Sequence, residues 1–173
     1  MRINIRINKI NLNVTNIKQG CHPMEGKFVL TVLIMAGGQG TRFWPASTKE
    51  KPKQFLSLTT ENTMIQETVR RLLPLVEEEH IFICTGEKYK LLCLEQLPNI
   101  PERNIILEPV GRNTAPCILL STIYISQIFP ETNILVLPSD AMVTNMLEQI
   151  DVFRDADMFI KEKPSFEMAK EYI

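Results

Sequence analysis

An α/β domain, three layers deep around a mainly parallel sheet, is the fold class that this sequence predicts, and three observations carry it. Short apolar runs of strand length alternate with segments of helical periodicity between residues 28 and 138. Each run is apolar almost without interruption, as in strands covered on both faces. Three of the runs lead directly into polar motifs, which is where the loops of such a sheet gather at the carboxyl ends of its strands.

The first strand is expected over residues 28–36, ending in Ala36-Gly-Gly-Gln-Gly-Thr-Arg42. Thr63-Met-Ile-Gln66 then has capping-box spacing, and the helix it opens places Ile65, Val69, Leu72 and Leu73 on one face before Pro74 ends or kinks it. A second strand is expected over 80–85, and a second helix over 87–97, closed by Pro98 and Pro101. The third strand, 104–107, runs into Glu108-Pro-Val-Gly-Arg-Asn-Thr-Ala-Pro116; Pro116 suits the first turn of a helix reaching about residue 128. The fourth, 133–138, ends in Ser139-Asp140. In a parallel sheet the motifs at 36–42, 108–116 and 138–140 would share one edge and one cleft.

A length of 173 residues suits one domain, and 45% hydrophobic with 23% charged residues excludes a disordered or collagen-like chain. The net charge of −1 conceals an asymmetry: residues 1–60 hold nine Lys/Arg against two Glu, and residues 61–173 hold ten against eighteen acidic groups. A basic segment around a glycine loop suits a small anionic ligand. No apolar run approaches the ~20 residues that span a membrane, so no membrane partner is expected; nucleic acid is not expected as a partner either, and a homo-oligomer is compatible with the sequence. Cys21, Cys84, Cys93 and Cys117 form no CxxC pair and sit in or beside apolar runs, which favours buried reduced thiols and a cytosolic setting over disulfides or zinc ligands. Residues 1–23 alternate Ile with Asn or Arg in a biased composition and are expected to be an extension outside the fold, with Met24 as the natural start. Trp44 is expected to pack beneath the glycine loop.

The loop matches neither common phosphate-binding fingerprint. Phe43 stands where the dinucleotide motif needs Gly or Ala, and Gly40-Thr-Arg42 replaces the Gly-Lys-Ser/Thr of a P-loop. What is present, Ala36-Gly-Gly-Gln-Gly-Thr-Arg-Phe-Trp-Pro45 after a strand with Pro52-Lys-Gln-Phe-Leu56 soon after, resembles the nucleotide-sugar pyrophosphorylases. Glu108–Pro116 and Leu137-Pro-Ser-Asp140 narrow the resemblance to their mannose-1-phosphate guanylyltransferase branch, over residues 29–140.

The resemblance implies a Rossmann-like three-layer α/β/α nucleotidyltransferase domain, incomplete on its C-terminal side, with residues 24–150 as the nucleotide-binding part and 151–173 as a remnant of the sugar-phosphate part. It implies Mg2+-dependent transfer from GTP to mannose-1-phosphate, giving GDP-mannose and pyrophosphate in the cytoplasm. It places Ala36, Gly37, Gly38, Gly40 and Thr41 on the nucleotide, Arg42 on the triphosphate, Lys53 on the phosphate at the reacting centre and Asp140 on the Mg2+. Glu108, Arg112, Asn113 and Thr114 fall in the base-recognition segment, and Glu162 and Lys163 on the sugar and its phosphate. These residue types suit the chemistry. Attack of a sugar phosphate on the α-phosphorus needs no protein nucleophile, only positioning and neutralisation of accumulating negative charge.

The chain departs from that branch at Ala141, where the family places His. Only residues 141–161 separate Asp140 from Glu162, with no Gly-Tyr-Gly-Tyr stretch between them, so 151–159 reads as the joint of two distant pieces. A catalytically inactive GTP-binding remnant is therefore the alternative reading.

Overall fold

The computed structural model describes residues 30–38, 43–58, 60–111 and 113–162. The expectations for residues 1–23, the joining residues 28–29 and the segment after 162 lie outside them.

Four parallel strands form one sheet in the order β3-β2-β1-β4: β1 (Leu30–Met35), β2 (Ile81–Gly86), β3 (Ile105–Glu108) and β4 (Asn133–Pro138). β1 pairs β2 through Val32↔Ile81 and β4 through Leu30↔Asn133, while β2 pairs β3 through Ile83↔Ile105. The chain thus steps outward from β1 to β3 and then returns past β1 to place β4 on its other side. That reversal makes a topological switch point at the carboxyl ends of β1 and β4, where open α/β sheets form a crevice.

Alternation along the strands divides the core into two layers. One face carries Val32, Ile34, Ala36, Ile81, Ile83 and Ile105 and packs against Ile65, Val69 and Leu72 of α1 (Met64–Leu72), and against Tyr89 and Cys93 at the start and middle of α2 (Lys90–Gln96). The other face carries Leu33, Phe82, Cys84 and Ile106 and packs against Cys117 and Ile125 of α3 (Thr114–Ile128). Burying each such Ile, Leu or Phe contributes roughly 1.5–3 kcal/mol, and both faces of β1 and β2 are fully covered.

The capping box is formed as its spacing predicts: Gln66 N–H donates to Thr63 Oγ1 and Thr63 N–H donates to Gln66 Oε1. Three expectations are corrected. α1 ends at Leu72, so Leu73 caps the helix and is 42% exposed instead of extending the buried stripe. The helix expected over 87–97 begins as a 3-10 turn, Glu87–Tyr89, before α2. β4 is only half-buried along its length, unlike the other edge strand, β3, which is mostly buried. The last helix, α4 (Met146–Glu162), is continuous through residues 151–159; Phe153 packs on the α1 side of the core, Ile150 is buried, and Asp157 accepts from Asn133 Nδ2 at 2.8 Å.

Candidate functional site

Because all four strands are parallel, their carboxyl ends bring residues 36–38, 108–111 and 138–140 to one edge of the sheet. The backbone leaving β1 is fastened inward. Ala36 N–H donates to Cys84 C=O at 2.7 Å, and Ala36 C=O accepts from Gln54 Nε2 at 2.7 Å and from Thr85 Oγ1 at 3.0 Å. Gln54 Nε2 also reaches Gly38 C=O at 3.1 Å. A trans peptide holds its N–H opposite its C=O, so pinning the Ala36 carbonyl toward Gln54 turns the Gly37 N–H outward, where Gly37 and Gly38 are exposed. Bare, outward N–H groups after a strand form an anion cradle. Gly40, Thr41 and Arg42 lie outside the described residues.

Gln54 itself is fully buried in the 3-10 turn Lys53–Phe55, whose Phe55 is sunk in the core. That turn aims Lys53 the other way. Its ammonium forms an ion pair with the Asp140 carboxylate and lies 5.5 Å from the centre of the Phe43 ring. Lys53 and Asp140 are both partly open to solvent, with side chains 24% and 30% exposed. A cation and a hard carboxylate therefore face each other at the switch point.

The Asp140 turn is held from beneath by α1. Ser139 N–H donates to Met35 C=O at 3.1 Å, Thr68 Oγ1 donates to Ser139 C=O at 3.1 Å, and Arg71 Nη1 donates to Ala141 C=O at 2.6 Å. Arg71 is buried, and desolvation lowers its pKa from the ordinary value. Its Nε and Nη2 have no partner among the described residues, so the guanidinium is committed to this turn at some electrostatic cost.

Glu108, at the end of β3, is 7% exposed and packs against Gly37: a Cβ on Gly37 would meet Glu108 Oε2 at 2.8 Å. Glycine is needed there for that close approach. Burial pushes the Glu108 carboxyl above its ordinary pKa. Asn113 caps α3 at φ 69°, ψ −172°, with no side-chain capping bond, and Asn113 and Thr114 are exposed at the mouth of the edge. That backbone region is almost restricted to glycine and costs an asparagine on the order of 1–3 kcal/mol. Arg112 and Lys163 fall outside the described residues; Glu162 is the last residue of α4, and its side chain lies outside the description.

Trp44 corrects another expectation: it is 78% exposed, standing clear of the core. Gln54, Thr68 and Arg71 were not foreseen as site residues. A glutamine inside the otherwise apolar Phe55-Leu56 turn was the available signal for the first; the other two sit on the buried side of α1 and are recognisable only once β4 is placed beside β1.

A glycine turn after β1 and a lysine and an aspartate meeting at the switch point thus lie on the carboxyl edge of a parallel α/β domain, the architecture of nucleotidyltransferases. The chain belongs to the Nucleotidyl transferase family, whose sequence profile matches residues 31–165. A mannose-1-phosphate guanylyltransferase of Escherichia coli is 42% identical over 136 residues, covering 78% of this chain and 29% of the relative. One of Salmonella muenchen is 43% identical over 136 residues, 76% of this chain and 26% of the relative. The alginate biosynthesis protein AlgA of Pseudomonas syringae pv. tomato is 39% identical over 113 residues, covering 64% and 23%. A crystal structure from Thermus thermophilus, described as a mannose-1-phosphate geranyltransferase, matches with a TM-score of 0.66 and 31% identity over 73% of this chain and 36% of that one. A structure from Helicobacter pylori, described as a mannose-6-phosphate isomerase, shares the fold at a TM-score of 0.57 and 23% identity, over 78% of this chain and 48% of that one. The chain spans under a third of the length of these curated relatives. Among the described residues, no helix is long and apolar enough to cross a membrane.

Proposed function

We propose that this chain carries the nucleotide half of a mannose-1-phosphate guanylyltransferase: it binds GTP at the β1–β4 switch point and transfers its nucleotidyl group to mannose-1-phosphate, giving GDP-mannose and pyrophosphate. The observation that carries the reading is the meeting of Lys53 and Asp140 beside the outward Gly37–Gly38 backbone. The names of the relatives support the choice of guanosine and mannose.

In this reading the N–H groups of Gly37, Gly38 and Gly40, with Thr41, cradle the phosphates, and Arg42 supplies a planar guanidinium to the triphosphate. The Lys53 ammonium leaves Asp140 for the phosphate at the reacting centre. Asp140, a hard, partly exposed oxygen donor, fits Mg2+, which is commonly held by one or two carboxylates together with substrate phosphates. When bound, Mg2+ supplies neutralisation of the developing charge. Glu108, Arg112, Asn113 and Thr114 form the wall that meets the base, and Glu162 and Lys163 receive the sugar phosphate. Residues 24–150 form the nucleotide part, and 151–173 contribute to the sugar side. The buried free thiols Cys84, Cys93 and Cys117 support a reducing, cytoplasmic setting.

Ala141, standing beside Asp140 where the family places His, favours a second reading, a GTP-binding piece without turnover. Pyrophosphate release from GTP, mannose-1-phosphate and Mg2+ separates the two. Turnover that is lost in Lys53→Ala and Asp140→Asn supports transfer. GTP binding without pyrophosphate supports the second reading, and absence of GTP binding refutes both.

A further inference from the structure

Beneath the cradle the sheet brings together three groups that are far apart in sequence. Register pairs Cys84 of β2 with Ile106 of β3 and Gly86 with Glu108, and alternation turns positions 84, 106 and 108 to the face covered by α3. There Cys117, in the first turn of α3, joins them. One donor atom each from Cys84, Glu108 and Cys117 lies within 4.8 Å of the others, and all three residues are buried.

We propose that Cys84, Cys117 and Glu108 form a buried zinc site, distinct from the Asp140 centre, that fastens the start of α3 to the sheet. Two soft sulfurs beside one hard carboxylate oxygen make a mixed donor set that favours zinc over magnesium. Tetrahedral Zn–S bonds of about 2.3 Å place two sulfurs about 3.8 Å apart, so the donors need to draw in by no more than about 1 Å. Ser121, one turn further along α3, is fully buried; its Oγ has no hydrogen-bond partner among the described residues and lies beside both sulfurs. An otherwise orphaned hydroxyl there can donate to a thiolate ligand, the usual duty of groups around a metal shell. The two sulfurs face each other across the sheet–helix boundary within 4.8 Å. Binding expels the thiol protons to solvent, with no change of oxidation state. Cys93 lies on the opposite face of the sheet and takes no part. The two sulfurs are placed by the sheet and α3 alone, whereas Glu108 is shared with the wall assigned above to the base, so Cys84→Ser and Cys117→Ser separate the metal site from that reading.

The test uses the full chain, stripped with chelator under reducing conditions, loaded with Zn2+ and desalted for elemental analysis, with Co2+ as a spectroscopic probe. One zinc per chain is expected in the wild type and in Cys93→Ala, with a cobalt–thiolate charge-transfer band and a rise in melting temperature on loading. Cys84→Ser and Cys117→Ser should lose the metal and the band, and Glu108→Gln should weaken binding by about tenfold or more. A folded wild type that takes up no zinc, or shows no thiolate band, overturns the proposal whatever the variants do. So does unchanged uptake by the Cys84→Ser/Cys117→Ser double variant, or a wild type whose two cysteines are joined as a disulfide.

Discussion

Replacing Gln54 by leucine tests how the glycine turn is built. The side chain is fully buried and of similar volume to leucine, so the change removes two hydrogen bonds, to Ala36 C=O at 2.7 Å and Gly38 C=O at 3.1 Å, with little change in packing. Ala36 C=O keeps the Thr85 hydroxyl at 3.0 Å, and Gly38 is exposed and can take up water, so neither carbonyl is left stranded. The cost is then the net worth of two hydrogen bonds, about 2 kcal/mol in all, which for a chain of this size lowers the melting temperature by about 4–8 °C. Circular dichroism on heating and urea titration measure it. GTP affinity, read by calorimetry, should fall in the same variant, because Gly38 C=O loses its anchor at Gln54 and the turn is held at Ala36 alone. Wild-type stability together with wild-type GTP affinity would refute the idea that Gln54 organises the cradle.

Further expectations concern the groups around it. Glu67 accepts from Asn62 Nδ2 and Thr60 Oγ1, and these bonds, Asn62 first, lower its pKa; a depressed carboxyl stabilises the fold above its unfolded value of about 4.3 and loses that contribution as pH falls through the folded value. Stability measured from pH 7 down to 3 should therefore drop less steeply in Glu67→Gln than in the wild type. Asn113→Gly should raise stability by about 1 kcal/mol, as relief of backbone strain outweighs the entropy of glycine, whereas Asn113→Val should lower it by at least as much; chemical denaturation decides between the signs. Arg71→Met should leave stability within about 1 kcal/mol, since a buried, half-partnered guanidinium contributes little net. Mg2+-dependent GTP binding should nonetheless weaken as the Asp140 turn loses its 2.6 Å anchor at Ala141.

The parts of this molecule that announce themselves in sequence are those fixed by local chemistry. Thr63 and Gln66 mark the start of α1 because a capping box acts within four residues, and 133–138 reads as β4 because an apolar run bounded by polar residues has few other uses. Pro116 signals the first turn of α3 for the same reason. Periodicity alone misled at Leu73, which keeps helical spacing with Val69 although the helix has already ended, and a general preference for burying aromatics misled at Trp44. The strand order β3-β2-β1-β4 depends on which helix covers which face, and no short window carries it. Everything resting on that order was therefore hidden: the Thr68 and Arg71 bonds to the Asp140 turn, and the Cys84–Glu108–Cys117 cluster, whose members are scattered over more than thirty residues. The candidate site was legible as motifs, whereas the residues that hold those motifs in place were not.

In the proposed reading, the motifs along the carboxyl edge form one nucleoside triphosphate site centred on the Lys53–Asp140 pair. Calorimetric titration of the full chain with GTP, with and without Mg2+ and alongside ATP, tests it most directly. Saturable 1:1 binding of GTP in preference to ATP, strengthened by Mg2+ in the wild type but not in Asp140→Asn and weakened at least tenfold in Lys53→Ala, is the expected result. GTP binding unaffected by either substitution, or no binding by the folded chain, would contradict it.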